Sequence, residues 1–464
     1  MSFFKAYDMR GTFGVDFDLD TVYRVGLALP QTVAKGRWLV GRDTRLTSEA
    51  VRDALVNGLL EAGAEVTDLG LCTTPMVYYF TAADDFDGSV MITASHNPSG
   101  DNGLKVSKKT ALPVGYASGL AEVEAIVRRV GVQRASCSVH RASCVVSEMP
   151  DALERYLEWQ LRHAARSTQH VNLAVDCSNG MASLFAHEMF PGAVFLNDRM
   201  NGNFPAHSPN PLDPKAREQI ARVVRDEGLD CGVIFDGDAD RAMFVDERGE
   251  FVQSDYLTVL VARATARGKN FAEPPTIIHD VRTSRGTIET LREMGMKPVM
   301  VPVGHAFAKP ILRKIGALCG GELAGHYYFG EFFGCDSGLL AATRILSEIA
   351  AAKEKGVTFS ELMKPIVSRY ANSGEINFKI PEVEGLPADK DAKDLAIERV
   401  LKFAAAELPR EISRSTMDGY RLEYEDGWLS IRKSNTEPYL RLLVEAKTPQ
   451  LMHEWVERIS AVVV

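Results

Sequence analysis

The sequence predicts an α/β protein that ends in a smaller α+β domain. Strand-like apolar runs alternate with helix-like stretches along most of its 464 residues, the pattern of an α/β chain. Three of those runs end alike, in Asp followed closely by Ser or Thr and then a helical pattern. They are Trp38-Leu39-Val40 before Asp43-Thr44, Leu173-Ala174-Val175 before Asp176-Cys177-Ser178, and Thr276-Ile277-Ile278 before Asp280-Val281-Arg282-Thr283-Ser284. These echoes lie a domain's length apart and fit three copies of one α/β unit. The alternative is that many α/β proteins simply end their strands this way. Past Gly419 the pattern changes, with short strands over 420–424, 428–431 and 440–444 that predict antiparallel hairpins.

Periodicity weakens twice along the chain. Residues 131–148 are rich in Ser, Cys and Arg and repeat Arg-Ala-Ser-Cys at 134–137 and 141–144; residues 359–375 form a second break. Length alone allows roughly three domains at ~150 residues each. Apolar residues make up 45% and charged residues 25% of the chain, the balance of a soluble globular protein. A net charge of −9 excludes an extended nucleic-acid surface, so any phosphate must be held by local Arg and Lys clusters. Seven scattered Cys without a CxxC pair point to reduced thiols in a cytoplasm, not to a disulfide framework or a zinc site. The first eight residues contain no apolar leader core. No run of apolar residues is long enough to span a membrane.

Chemistry concentrates in four segments. Thr93-Ala94-Ser95-His96-Asn97-Pro98 follows the strand-like Ser89–Ile92 run, which places a hydroxyl just past a strand end, where α/β sites are built. A Ser-His pair in such a loop can also be structural, and no Gly-x-Ser-x-Gly elbow is present. Asn102-Gly103-Leu104-Lys105 follows and is expected to form a tight turn with a cation near the serine. Asp236-Gly237-Asp238-Ala239-Asp240-Arg241 comes after the strand-like Cys231–Phe235 run. In an extended chain its three carboxylates share one face, and they repel unless a cation sits among them. Oxygen-only ligands favour Mg²⁺ or Ca²⁺ over zinc. An EF-hand competes, since Glu247 falls at the twelfth loop position, but Arg241 stands where that loop needs Gly. Gly320-Gly321-Glu322-Leu323-Ala324-Gly325-His326 reads as a flexible loop whose carboxylate and imidazole suit sugar hydroxyls, or as a plain glycine turn. Arg432-Lys433-Ser434-Asn435-Thr436-Glu437-Pro438 with Arg441 suits a phosphate dianion, or forms a solvated basic turn.

Together these segments resemble the α-D-phosphohexomutase family, and most of all its bacterial phosphomannomutase/phosphoglucomutase branch. The resemblance extends to Lys5-Ala6-Tyr7-Asp8-Met9-Arg10-Gly11, Asn201-Gly202-Asn203-Phe204-Pro205, Pro209-Asn210-Pro211 and Val303-Gly304-His305 with Lys309. It covers nearly the whole chain in the family's order. Ser-Asn-Thr-Glu-Pro in the last loop favours that branch over the phosphoglucosamine relatives, which usually carry Gly at the place of Asn435. One departure stands out: Ala324 replaces a serine usual in the branch, which removes a hydroxyl contact.

The resemblance implies three related α/β domains with mixed sheets and a smaller α+β fourth domain around a central cleft. The limits expected are 1–148, 149–249, 250–366 and 367–464. The implied activity interconverts hexose 1-phosphate and hexose 6-phosphate of mannose or glucose, through phosphorylated Ser95 and a 1,6-bisphosphate. Phosphoglucosamine mutase and a non-catalytic sugar-phosphate binder are the alternatives. Mg²⁺ on Ser95, Asp236, Asp238 and Asp240 is implied, with glucose or mannose 1,6-bisphosphate as the activating phosphoryl donor. His96 accompanies the serine, Lys105 and His305 are expected to handle protons, and Arg10 and Arg241 to support charge. Tyr7, Arg282, Gly304, Glu322, Ala324 and His326 are expected at the sugar, and Arg432, Ser434, Asn435, Thr436 and Arg441 at the phosphate. Hexose phosphates are the only partners expected, with neither nucleic acid nor membrane.

Overall fold

The computed structural model describes residues 3–129, 146–164, 170–381, 390–434 and 439–463. The repeated Arg-Ala-Ser-Cys segments and the predicted ligands Asn435 and Thr436 lie outside the described residues.

Four sheets succeed one another along the chain. In the first, Gly88–Ile92, Arg37–Arg42 and Glu65–Leu71 run parallel, while Asp101–Lys108 and Met9–Thr12 join antiparallel. The second places Leu173–Asp176 between the parallel strands Cys231–Phe235 and Val194–Leu196, and adds Ala242–Asp246 and Phe251–Val252 antiparallel. The third is built likewise, with Thr276–Asp280 between Lys297–Val301 and Cys319–Gly321. In the fourth every pairing is antiparallel: Gly427–Lys433 lies between Tyr420–Glu423 and Tyr439–Ala446.

The three strand-end echoes take up one local structure. Asp43 accepts the backbone N–H of Arg45 at 3.0 Å, Asp176 that of Ser178 at 2.8 Å and Asp280 that of Arg282 at 2.6 Å. Each carboxylate thus closes a turn over its own backbone two residues on. Helix starts are equally local: Asp18, Thr73, Asp213, Ser284, Ser337 and Thr358 each accept a first-turn N–H with their side chains, and each such cap contributes about 1 kcal/mol.

Packing sorts the sheets differently from their order. One continuous core runs through the first three, from Phe80 and Tyr156 through Phe235 to Tyr327 and Leu346. Phe359, Met363 and Ile366 join it from the helix Phe359–Val367, so the second break in periodicity begins with a packed helix. The second sheet likewise runs past 249, because Phe251–Val252 pairs with Phe244 and Val245. The fourth sheet has its own core, with Leu422, Ile431 and Leu442 under Val400, Trp455 and Ile459.

Two local readings change. Asn102–Lys105 is not a turn: it lies inside the strand Asp101–Lys108, where a Cβ on Gly103 would come 2.4 Å from the Met9 carbonyl oxygen. Gly320 and Gly321 are strand residues paired on both sides. Neither Gly103 nor the Gly320–Gly321 pair marks a turn or a flexible loop.

Candidate active site

Ser95 follows the strand Gly88–Ile92 in a left-handed backbone conformation, φ 51°. Non-glycine residues reach this region at a cost and cluster at functional sites. What holds it is a buried arginine that lies outside every sequence motif. Arg45 donates to the carbonyls of Ser95 and Asn97 through Nη2 at 2.9 and 2.7 Å, and to those of Pro98 and Asp101 through Nη1. Only its place beside the Asp43 turn hinted at this. The Ser95 hydroxyl donates to Asp236 Oδ2 at 2.7 Å and accepts from Arg241 Nη2 at 3.2 Å. Arg241 also donates to His96 Nδ1. Burial and Arg241 push His96 well below the ordinary histidine pKa, so it stays neutral. Arg10 donates to Asp8 at 2.6 Å and Asn97 at 3.1 Å; burial opposes its charge, and Asp8 more than restores it.

The acidic loop joins two antiparallel strands, Cys231–Phe235 and Ala242–Asp246, and has no helix in front. Its carboxylates do not converge by extension. The chain turns through Ala239 at φ 59°, which folds Asp236, Asp238 and Asp240 together within 4.8 Å, all fully buried. Glu247 points away and accepts from Ser360, which removes the EF-hand reading. Burial, Asp240 and Asp238 push the Asp236 carboxyl well above the usual range. Lys105 Nζ bridges Asp238 and Asp240 at 2.6 Å each. Burial opposes its charge, yet those two carboxylates hold it above the ordinary lysine range. Oδ1 of Asp238 and Oδ1 of Asp240 are buried without a hydrogen-bond partner. Orphaned carboxylate oxygens of this kind fit a hard cation. The two loops meet main chain to main chain: a Cβ on Gly237 would lie 2.5 Å from the Ser95 carbonyl oxygen, and one on Gly180 would lie 2.6 Å from that of Gly237.

Beside the acidic loop, and bridged to it between Arg241 and His326, the third sheet supplies a hairpin between Cys319–Gly321 and Tyr327–Phe329. Glu322, raised in pKa by burial, accepts from the Tyr328 hydroxyl at 2.6 Å and the Gly304 N–H at 3.2 Å. His326 Nδ1 pairs with Asp336 at 2.7 Å and lies 3.8 Å from Asp240. Asp336 was missed because it carries no motif. Burial and Lys309 hold His305 well below the ordinary histidine range. The Tyr7 hydroxyl donates to the Val303 carbonyl at 3.0 Å, which ties the first sheet to the third, and the Val303 N–H donates to Asp418 of the fourth at 3.2 Å. Arg282 is held by Asp280 at 2.6 Å.

Arg432 and Arg441 face the same cleft from the fourth sheet, on either side of the predicted phosphate loop. The cavity measures about 520 Å³. Every described residue expected to act on substrate lines it: Ser95, His96, Lys105, Arg10 and Arg241; Tyr7, Arg282, Gly304, His305, Glu322, Ala324 and His326; and Arg432, Ser434 and Arg441. The three carboxylates sit behind Ser95.

A hydroxyl on a carboxylate cluster, facing guanidiniums across a cleft, is the layout of a phosphoryl-transfer enzyme. Four family models match the chain in order. The phosphoglucomutase/phosphomannomutase alpha/beta/alpha domains I, II and III match residues 1–133, 152–249 and 253–370, and the C-terminal domain matches 375–462. A phosphomannomutase of Vibrio cholerae is 34% identical over 99% of this chain and 98% of its own. Phosphohexose mutases of Xanthomonas campestris are 34% identical over 96% of this chain and 95% of theirs. The solved structure of a phosphoglucomutase/phosphomannomutase family protein from Burkholderia thailandensis superposes with a TM-score of 0.83 at 26% identity, covering 100% of this chain and 97% of that one. The chain belongs to the phosphoglucomutase/phosphomannomutase family. It is an intramolecular phosphotransferase acting on hexose phosphates.

Proposed function

We propose that this enzyme interconverts the 1- and 6-phosphates of mannose or glucose, with Ser95 as the phosphoryl carrier. The observation that carries the assignment is the Ser95 hydroxyl, 2.7 Å from Asp236, in a cleft that Arg432 and Arg441 also line. Asp236, Asp238 and Asp240 would hold Mg²⁺, which when bound supplies positive charge next to the serine. A 1,6-bisphosphate of glucose or mannose would load Ser95 at the outset.

In the working cycle the substrate phosphate rests on Arg432, Ser434 and Arg441. Glu322 and His305 meet the sugar hydroxyls, and the free hydroxyl is directed at phosphorylated Ser95. We assign its proton to His326, whose Nδ1–H is oriented by Asp336 so that the other ring nitrogen can accept. Lys105, clasped by two carboxylates, acts by charge, which revises its expected part as a proton handler. The sugar oxygen bonds to phosphorus as the Ser95 Oγ–phosphorus bond breaks, and Arg241 meets the charge that returns to Oγ. The resulting 1,6-bisphosphate turns end for end and gives its other phosphate back to Ser95. Cys72, Cys177, Cys231, Cys319 and Cys335 are free and buried, and no helix among the described residues is long and apolar enough to cross a membrane. The thiols suit a reducing cytoplasm.

A panel of mannose, glucose and glucosamine 1-phosphates, each assayed with Mg²⁺ and with EDTA, tests the assignment. Mannose or glucose 1-phosphate should turn over best, and chelation should abolish activity reversibly. Turnover confined to the glucosamine ester would replace the substrate assignment, and full activity in EDTA would remove the metal.

A further inference from the structure

Arg432 and Arg441 stand directly opposite each other on neighbouring antiparallel strands, a placement in which like charges repel. Among the described residues, the carboxylate of Glu375 joins them. Glu375 accepts from Arg432 Nη2 at 3.1 Å through Oε1 and from Arg441 Nη1 at 3.0 Å through Oε2. A third guanidinium, that of Arg282 from the third sheet, stands 3.6 Å from Oε1. Glu375 is not among the residues that line the cleft, so it meets the arginines from behind.

The backbone is shaped to bring it there. Ala371–Asn372 and Ile376–Lys379 both pair with Tyr439–Ala446, Asn372 opposite Glu445 and Ile376 opposite Leu442. Ser373, Gly374 and Glu375 therefore face only Val444 and Leu443, three residues against two, which is a β-bulge. Ser373 pins the bulge, donating its N–H to the Val444 carbonyl and accepting the Val444 N–H on its hydroxyl, both at 2.9 Å. Gly374 takes the left-handed turn at φ 67° and donates to Asn372 Oδ1 at 2.8 Å. A bulge re-aims the side chains next to it, and here the one re-aimed is Glu375.

We propose that Glu375 is the positioning residue of the phosphate anchor. It offsets the repulsion between Arg432 and Arg441 and fixes the direction in which both forks face the cleft, so that a phosphate dianion meets them already aligned. Through Arg282 and Asp280, which accepts the Leu323 N–H at 3.0 Å, it also keeps the anchor in register with the sugar loop. Burial works against its charge, but Arg282, Arg432 and Arg441 hold its carboxyl below the usual range. The inference rests on the anchor reading above and goes one layer behind it.

Steady-state kinetics with hexose 1-phosphate, together with competitive inhibition by inorganic phosphate, test the idea in Glu375→Gln, Glu375→Asp and Arg432→Ala. In Glu375→Gln we expect KM and the phosphate inhibition constant to rise by about tenfold. Its kcat should stay within about threefold of wild type, and phosphorylation of Ser95 by acetyl phosphate should be unchanged. Glu375→Asp, which keeps the charge on a shorter stem, should fall between wild type and Glu375→Gln. Phosphate inhibition in Glu375→Gln that is as tight as wild type, or tighter, overturns the proposal. Should that variant fail to fold, wild-type inhibition in Glu375→Asp overturns it equally. If Arg432→Ala leaves KM unchanged, the anchor itself is misassigned. If Arg432→Ala weakens binding and Glu375→Gln does not, only the part given to Glu375 is lost.

Discussion

In the proposed cycle the serine end and the anchor end of the cleft receive the same kind of group, yet they are built on different terms. Ser95, Asp236, Asp238 and Asp240 are all but inaccessible, on loops of two sheets that share one core. The anchor hangs on a hairpin of a sheet with a separate core; its Arg432 is buried, but its Arg441 and Glu375 side chains keep 17% and 16% of their surface open. A group that must be transferred needs water excluded and charges fixed in advance. A group that is only held, and that must let go while the intermediate turns, needs charge in a place that solvent can reach. The contrast thus separates bond-making from holding.

Four changes bear on that contrast, taken from the largest effect to the smallest. Ser95→Ala should remove transfer altogether, lowering kcat by about four orders of magnitude or more. Intact-mass measurement after incubation with glucose 1,6-bisphosphate should find no added phosphoryl group, and full stoichiometry there would dissolve the distinction between the two ends. Arg432→Ala should lower kcat/KM by about a hundredfold or more while Ser95 still accepts phosphate from acetyl phosphate. Wild-type kcat and KM in this variant would return the last loop to a solvated basic turn.

The third effect concerns the sheet that spans the two ends. Burial pushes His279, on the strand Thr276–Asp280, down to about 4. A histidine with a depressed native pKa is neutral in the folded state, so its contribution is present above the unfolded value of about 6.5 and declines as pH falls toward 4. The loss should approach roughly 3 kcal/mol over that window at about 1.36 kcal/mol per pH unit. Urea unfolding at several pH values should show it, and His279→Gln should flatten the slope; an unchanged slope would acquit His279. The smallest effect is expected at the sugar loop. Ala324→Ser adds at most one neutral hydrogen bond, worth roughly 0.5–1.5 kcal/mol, so KM should move by less than about tenfold. Complete loss of activity would mean that the hairpin is packed against a hydroxyl.

What could be read from the sequence was whatever is local. The Asp43, Asp176 and Asp280 turns close within two residues, and their spacing in sequence fits three related units. The serine and acidic loops were legible as chemical types, but not as shapes, because an alternating row of carboxylates looks the same whether the chain extends or turns through Ala239. Long-range partners left no trace. Arg45 reaches the serine loop from 50 residues away, and Glu375 lies 57 and 66 residues from the guanidiniums it joins. Asp336 stands only ten residues beyond His326, yet a lone Asp in a short strand has no neighbours in sequence that announce its task.

The stacked main chains of Gly180, Gly237 and Ser95 bear on how such an enzyme can diversify. Because backbone meets backbone there, the spacing between the serine and acidic loops is set by main chain, with Arg45 holding the serine loop from its other side. No residue larger than glycine fits at 180 or 237 without prying the loops apart. Those positions are closed to variation, whereas Ala324, which lines the cleft, is free to vary. New sugar preferences can therefore be explored at Ala324 while the reacting atoms keep their alignment, and a library aimed at specificity should spend its diversity there and leave Glu322 unchanged, along with Gly325 and His326, which adjoin the acidic loop.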